Sequence, residues 1–400
     1  MQHHHSTPVC TLLNRLWAVF LLLGAIALPI STHAQTSTGV TADEIVIGMS
    51  NAQTGPAQAL GQDLKAGAEV YFNKVNAAGG IYGRKIRLIS YDDGYEPVHT
   101  IENTINLIRR DHAFLLFGYV GTPTSEVAVP IATRSKTPYF APFTGAEFLR
   151  NPVNPYVFNI RASYFDETSA LVQHLIEDLN IKSIGMFIQN DGYGAAGRAG
   201  VQNALEAHGL SIAVVGKYER NTTDVSPALE QILKIKPEAV ILIGAYQPCA
   251  AFIKAARAQH YNPVFMNISF VGTNAFLHEV GQDGENTFIS QVVPHPQTSP
   301  LPLVEAYHQD MTAANQESMI GFGSLEGYLD AKTLVEALKR TGENLTRENF
   351  LATLESLSFD AGGLSITFSP ESHQGQSNVY LTRIHNGQVQ QIQRLNDTQP

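Results

Sequence analysis

Residues 44–93 read EIVIGMSNAQTGPAQALGQDLKAGAEVYFNKVNAAGGIYGRKIRLISYDD, and the fold is decided by how this stretch changes its period. Ile45-Val46-Ile47-Gly48-Met49 is a short, β-branched apolar run of strand length. The residues that follow put Leu60, Leu64, Ala68, Phe72 and Val75 on one face of a helix, and Gly79-Gly80 supplies its stop. Ile86 to Tyr91 is then a second strand. A strand, a long helix and another strand in that order make a βαβ unit, which requires a parallel sheet.

The same alternation continues on both sides of a proline-rich turn. A helix is expected with Val98, Ile101, Ile105 and Ile108 as its inner stripe, followed by Phe114-Leu115-Leu116-Phe117, an apolar strand buried on both faces. After Asn151-Pro152-Val153-Asn154-Pro155 a second series begins with a helix carrying Phe165, Val172, Leu175 and Leu179. Strands at Ser183–Gln189, Ile212–Tyr218 and Ala239–Ile243 alternate with helices at Ala195–His208 and Val225–Ile235. The two series share their order of elements without sharing a sequence repeat. Beyond Pro294-His295-Pro296, a stripe of Leu325, Tyr328, Leu329, Val335 and Leu338 stops at Gly342 and has no strand of its own. Its simplest use is to return and cover the first sheet. Leu364–Phe368 and Val379–Ile384 read as strands, with Asn386-Gly387 turning into Val389–Ile392. The expected architecture is α/β, two doubly wound parallel-sheet lobes that are each discontinuous in sequence. One lobe takes 43–160 and 294–355, the other 161–293 and 356–392, and 393–400 forms a tail.

Composition narrows the class. Hydrophobic residues are 44% of the chain and charged ones 16%, a globular balance, while the net charge of −10 disfavours nucleic acid or an anionic membrane as partner. Arg15 precedes an apolar run from Leu16 to Ile30, and Thr32-His33-Ala34 offers small residues where a signal peptidase reads. That run is shorter than the roughly 20 residues a bilayer span needs, so residues 1–34 are expected to be a cleaved export signal and the mature chain to work in the periplasm as a monomer. Cys10 would leave with the signal, and Cys249 alone cannot make an internal disulfide.

In open α/β sheets, ligands lie beyond the carboxyl ends of the strands. There the first series delivers Thr122-Pro123, a helix start with free N–H groups and a hydroxyl, and Phe143-Thr144-Gly145. The second series delivers Asn190-Asp191-Gly192-Tyr193, Ala245-Tyr246-Gln247 and Ile268-Ser269-Phe270, whose aromatic rings can wall a small ligand. Each of these residues also has a plainer use as a cap or as the lid of a core. Asp92-Asp93, ending a strand before Gly94, reads as a solvated pair of carboxylates.

A rival reading rests on Gly192-Tyr193-Gly194-Ala195-Ala196-Gly197, which has the G-x-G-x-x-G spacing of a dinucleotide site and is trailed by Glu219. Asp191 would place a negative charge beside the phosphates, which counts against it. His278-Glu279 lacks the second histidine of a zinc-protease helix, there is no G-x-S-x-G elbow, and the fourteen histidines do not cluster at ligand spacing. Neither catalysis nor a cofactor is expected.

Taken in order, Gly48-Met49-Ser50, Thr54-Gly55-Pro56, Asn76-Ala77-Ala78-Gly79-Gly80-Ile81-Tyr82-Gly83, Tyr91-Asp92-Asp93, Leu325-Glu326-Gly327-Tyr328 and Ala331-Lys332 resemble one family. It is the periplasmic solute-binding proteins of ATP-driven importers, in the leucine/isoleucine/valine-binding branch. The resemblance spans Ile45 to about Ile384 and implies two lobes around a three-crossover hinge, with a small-molecule ligand and the membrane permease of an ABC importer as partners. It places ligand contacts at Thr122, Thr144 and Gly145 in the first lobe and at Tyr193 and Tyr246 in the second. Where amino-acid binders of the family carry an acid for the ligand's ammonium, this chain has Ser269 beside Phe270, and Leu60 stands where an aromatic is usual. An unpaired buried ammonium is costly, so the resemblance implies a carboxylate or an apolar ligand rather than a standard α-amino acid. A ligand-sensing module for a membrane receptor would use the same residues.

Overall fold

The computed structural model describes residues 1–4 and 37–397; the expected export signal falls mainly on residues outside these. Among the described residues no helix is long and apolar enough to cross a membrane.

From Ser37 onward the chain builds two sheets. The first takes β1 (Glu44–Asn51), α1 (Gln58–Ala77), β2 (Lys85–Asp92), α2 (Pro97–Arg109), β3 (Leu115–Phe117), α3 (Thr122–Arg134), β4 (Tyr139–Phe140) and β5 (Val157–Phe158). Its strands run parallel in the order β2-β1-β3-β4-β5. The second takes α4 (Tyr164–Leu179), β6 (Ile184–Gln189), α5 (Gly192–Glu206), β7 (Val214–Tyr218), α6 (Ser226–Ile235), β8 (Ala239–Ile243), α7 (Tyr246–Ala258), β9 (Val264–Asn267), α8 (Thr273–Val280) and β10 (Phe288–Gln291). The chain then returns through α9 (Pro302–Ala313), α10 (Phe322–Thr341), α11 (Arg347–Glu355) and the hairpin β11 (Ser358–Asp360) and β12 (Ser365–Thr367). It ends in β13 (Tyr380–His385) and β14 (Gln388–Ile392), which extend the second sheet antiparallel to the order β14-β13-β10-β9-β8-β6-β7. β6 and β8 are buried along their whole length, which is why they read as unbroken apolar runs.

The returning stripe on α10 does cover the first sheet. Leu325, Tyr328, Leu329, Val335 and Leu338 join one core with Ile45, Ile47 and Phe117. Two glycines make the approach backbone to backbone: a Cβ on Gly67 of α1 would lie 1.7 Å from the Ser324 carbonyl oxygen, and one on Gly327 would lie 2.0 Å from that of Leu64. Three segments therefore pass between the sheets, and they are hydrogen-bonded to one another. The Asn159 N–H donates to the His373 carbonyl at 2.8 Å, Gly375 N–H donates to Asn159 at 2.7 Å, and Gln376 Nε2 donates to Val292 at 3.0 Å.

Three expectations need correcting. The stripe assigned to α2 has the right period and the wrong phase: Val98, Ile101 and Ile105 are exposed at 67%, 38% and 37%, while Thr100, Thr104 and Leu107 face inward. The threonines can go inside because Thr100 donates to Asp93 at 3.1 Å and Thr104 shares a hydrogen bond with Tyr119 at 3.1 Å. Asp93 is accordingly no solvated strand end. It is buried, accepts from Ser50, Thr100 and the Tyr95 N–H, and burial raises its pKa to about 6. Finally, Leu357, Leu364, Ile366 and Phe368 pack into the core beneath α10, so the chain leaves the first lobe after β12 rather than at 356. Those side chains are apolar on the hairpin face that meets the first core, and burial there outweighs their nearness in sequence to β13.

Candidate ligand site between the lobes

The carboxyl ends of both sheets meet. A single apolar cluster runs from Ala57, Leu60, Tyr95, Val120 and Phe143 of the first lobe into Tyr164, Tyr193, Tyr246 and Phe270 of the second. The loop after β3 puts Thr122 at the start of α3, and the loop after β4 puts Thr144 opposite it. Their hydroxyls are 2.7 Å apart, and Thr144 Oγ1 donates to the Tyr164 hydroxyl at 3.1 Å. Gly145 serves this closeness differently from expectation: its carbonyl accepts the Tyr164 N–H at 2.7 Å, and a Cβ there would stand 2.5 Å from the Tyr164 ring.

Tyr193 enters from the first turn of α5. Its ring centroid is 4.6 Å from that of Phe270 and 5.5 Å from that of Tyr164, and its buried hydroxyl has no hydrogen-bond partner among the described residues. Phe270 in turn faces Phe143 at 5.6 Å and Tyr95 at 6.0 Å, so rings from both lobes close on it. Tyr246 lies against α1, with its hydroxyl 3.5 Å from the Ala59 nitrogen. Leu60 and Ser269 wall one narrow cavity together with Phe143, Gly272 and Glu326.

Ser269 is the residue whose surroundings differ most from expectation. Its hydroxyl is already engaged, accepting from the Arg161 guanidinium and donating to Glu167 at 3.0 Å, while its N–H donates to the other Glu167 oxygen at 2.8 Å. Arg161 is fully buried, 4.8 Å over the Phe143 ring, 3.5 Å from Glu167 and 3.4 Å from Glu326. Burial works against its charge, but Glu326 and Glu167 more than offset this and raise its pKa. Burial also raises the pKa of Glu167, with Arg161 and the hydroxyl of Ser290 pulling the other way.

At the mouth of the cleft, Arg220 after β7 bridges Glu96 at 2.8 Å and Asp191 at 3.0 Å, and Asn221 donates to Glu96 at 2.7 Å and to the Gly94 carbonyl at 3.1 Å. The glycines of the G-x-G-x-x-G stretch are accounted for by packing. A Cβ on Gly194 would sit 1.8 Å from the Gln189 carbonyl oxygen, one on Gly197 2.6 Å from Ile243, and one on Gly192 2.2 Å from the Glu126 carboxylate. Asp191 already caps that helix by accepting the Tyr193 N–H at 3.0 Å. A pyrophosphate at this helix start would therefore face two carboxylates.

Sequence reasoning missed Tyr95, Tyr164, Arg161, Glu167 and Glu326. A signal existed for the last: Glu326 and Asp330 stand one helical turn apart inside the apolar stripe of α10, where charge is out of place.

Two α/β lobes joined by three crossings, with hydroxyls and aromatic rings turned into the cleft, define the architecture of a two-lobed binding protein. The profile of the periplasmic binding proteins matches residues 44–388, and the chain belongs to that family. A possible leucine/isoleucine/valine-binding protein from Rhodopirellula baltica SH 1 is 37% identical, with a TM-score of 0.84 over 90% of this chain and 98% of that one. The Leu/Ile/Val/Thr-binding protein of Salmonella typhimurium is 22% identical over 72% of this chain and 77% of that protein. A fatty acid ABC transporter substrate-binding protein from Thermomonospora curvata shares the fold at 20% identity, with a TM-score of 0.81 over 90% of this chain and 94% of that one. The chain is thus a periplasmic-family protein related to the branched-chain amino acid binders, and these relatives are solute-binding proteins rather than enzymes.

Proposed function

We propose that this chain is exported by a cleaved signal, captures a small molecule between its lobes as a monomer, and delivers it to the membrane permease of an ATP-driven importer. The ligand is a carboxylate or a largely apolar compound rather than a standard α-amino acid. The observation that carries the reading is the Tyr193 hydroxyl, buried between the lobes with no partner among the described residues, on a ring 5.5 Å from that of Tyr164, to which Thr144 and through it Thr122 are hydrogen-bonded. A buried, unpaired hydroxyl costs about 1–3 kcal/mol, which a ligand oxygen reaching it would recover. Contacts from both lobes then favour the closed form over the open one, and that difference is the binding mechanism. Against an α-ammonium stands the cation at Ser269: the position that the resemblance gives to an acid here holds a hydroxyl turned to Arg161.

A thermal-shift panel of branched-chain amino acids, aromatic acids and dicarboxylates tests this, because a ligand that binds the native state raises the melting temperature by mass action. Thr122→Ala and Thr144→Ala are each expected to weaken the responding acid by about 0.5–1.5 kcal/mol. Unchanged affinity in both variants, or a response confined to branched-chain amino acids, overturns the reading.

A further inference from the structure

At the mouth of the cleft the first lobe reaches the second through a tight turn, Asp93-Gly94-Tyr95-Glu96. The Glu96 N–H donates to the Asp93 carbonyl at 2.9 Å, and the two central residues are left-handed, with φ of +58° and +62°. Glycine takes that conformation freely, whereas a buried tyrosine rarely does. The turn is anchored in its own lobe. The Asp93 carboxylate accepts from Ser50, Thr100 and the Tyr95 N–H, and the Gly94 N–H donates to Asp92 at 3.0 Å. What it delivers is contact with the other lobe, because residues 94, 95 and 96 all reach across. The Gly94 carbonyl accepts from Asn221 at 3.1 Å, and the Tyr95 hydroxyl accepts from Gln189 at 3.3 Å. Glu96 accepts from Asn221 at 2.7 Å and pairs with Arg220 at 2.8 Å. Glu96 stands at the N-cap position of α2 yet makes no side-chain capping bond there, so capping does not account for it. The receiving side is set in advance as well. Gln189 accepts from the Tyr218 hydroxyl at 3.0 Å and donates to Asp191 at 2.7 Å, and Asp191 holds Arg220 at 3.0 Å.

We propose that this turn is a latch: it holds the lobes together without a ligand and so fixes the closed fraction of the protein, which scales the affinity for a captured solute. The consequence for affinity rests on the capture reading above; the latch itself does not. The unfavourable backbone at Tyr95 persists because the contact it delivers is made across the cleft. Its ring lies 6.0 Å from that of Phe270, and a Cβ on Gly121, the residue before Thr122, would lie 2.2 Å from it. The latch therefore bears directly on the loop that presents Thr122. The neutral contacts of Tyr95 and Asn221 carry it, because the Glu96–Arg220 pair is partly exposed and screened by salt.

Hydrogen–deuterium exchange tests the proposal on protein refolded from guanidinium, so that no solute is carried over. Exchange through opening tracks the open fraction over several decades. The segments to follow are 57–61 and 268–272, which share no hydrogen bond with the turn and meet each other across the cleft, where a Cβ on Gly272 would lie 2.5 Å from Leu60. Tyr95→Phe removes only the hydroxyl, and Asn221→Ala removes the bonds to Gly94 and Glu96. In the double variant both segments are expected to exchange about tenfold faster than in the parent, with each single variant in between. The strands at 44–51 and 239–243, in the interior of the two lobes, should keep the parent rate. Unchanged exchange at the cleft segments in the double variant overturns the latch. So does faster exchange at 44–51 by the same factor, because the turn would then support its own lobe rather than the closure of two. No solute is present, so these outcomes leave the capture reading standing, and a silent thermal-shift panel would sink that reading without touching the latch.

Discussion

The two ends of the cleft handle polarity in opposite ways. At one end Thr122, Thr144 and Tyr164 form a chain of neutral hydroxyls. At the other, Arg161 joins Glu167, Ser269 and Glu326 in a buried ionic hub that ties the segment after β5 to α4 and α10. Neutral hydroxyls exchange partners at little cost, whereas a buried charge that loses its partner has nowhere to go. The hydroxyl end is thus suited to making and releasing contacts with a ligand, and the ionic end to holding the closed geometry.

Breaking the ionic end should have the largest effect. Arg161→Leu leaves Glu167 and Glu326 buried without their cation and is expected to cost about 3–5 kcal/mol in a urea unfolding experiment. A loss below about 1 kcal/mol would erase the distinction between the ends. Next is the contact that lets the lobes meet. Gly272 has a φ of +77° and a Cβ there would lie 2.5 Å from Leu60 across the cleft, so Gly272→Val adds strain of about 1–2 kcal/mol and a wedge between the lobes. An increased radius of gyration in solution scattering, with weaker ligand binding, is the expected outcome; unchanged dimensions would show that closure does not depend on this contact. The smallest effect belongs to the mouth. Arg220→Ala removes a partly exposed bridge to Glu96 and Asp191, and should change binding by at most about 1 kcal/mol, diminishing with added salt.

Which of these residues could be found by reading the chain follows a physical line. Thr122, Thr144, Tyr193 and Tyr246 stand directly after apolar strands, so the rule that ligands gather at strand ends located them without any knowledge of contacts. Arg161 and Glu167 flank a helix start and carry no local mark. Their meaning comes from partners far away in sequence, Glu326 on α10 and Ser290 on β10. The phase of α2 failed for a related reason. Apolar spacing gave Val98, Ile101 and Ile105 the inner face, but Thr100 and Thr104 take it because Asp93 and Tyr119 offer them hydrogen bonds.

Period and punctuation along the chain were enough to settle the alternation of strands and helices, the two parallel sheets and the return of α10 to the first, because these depend on which faces of local elements are apolar. The pairing of polar groups across the cleft was decided by the tertiary structure. Whether Ser269 meets a ligand or a guanidinium, and which carboxylates hold that guanidinium, depends on side chains brought together from α4, α10 and the crossing segments, and desolvation gives those meetings their energy only once the lobes close.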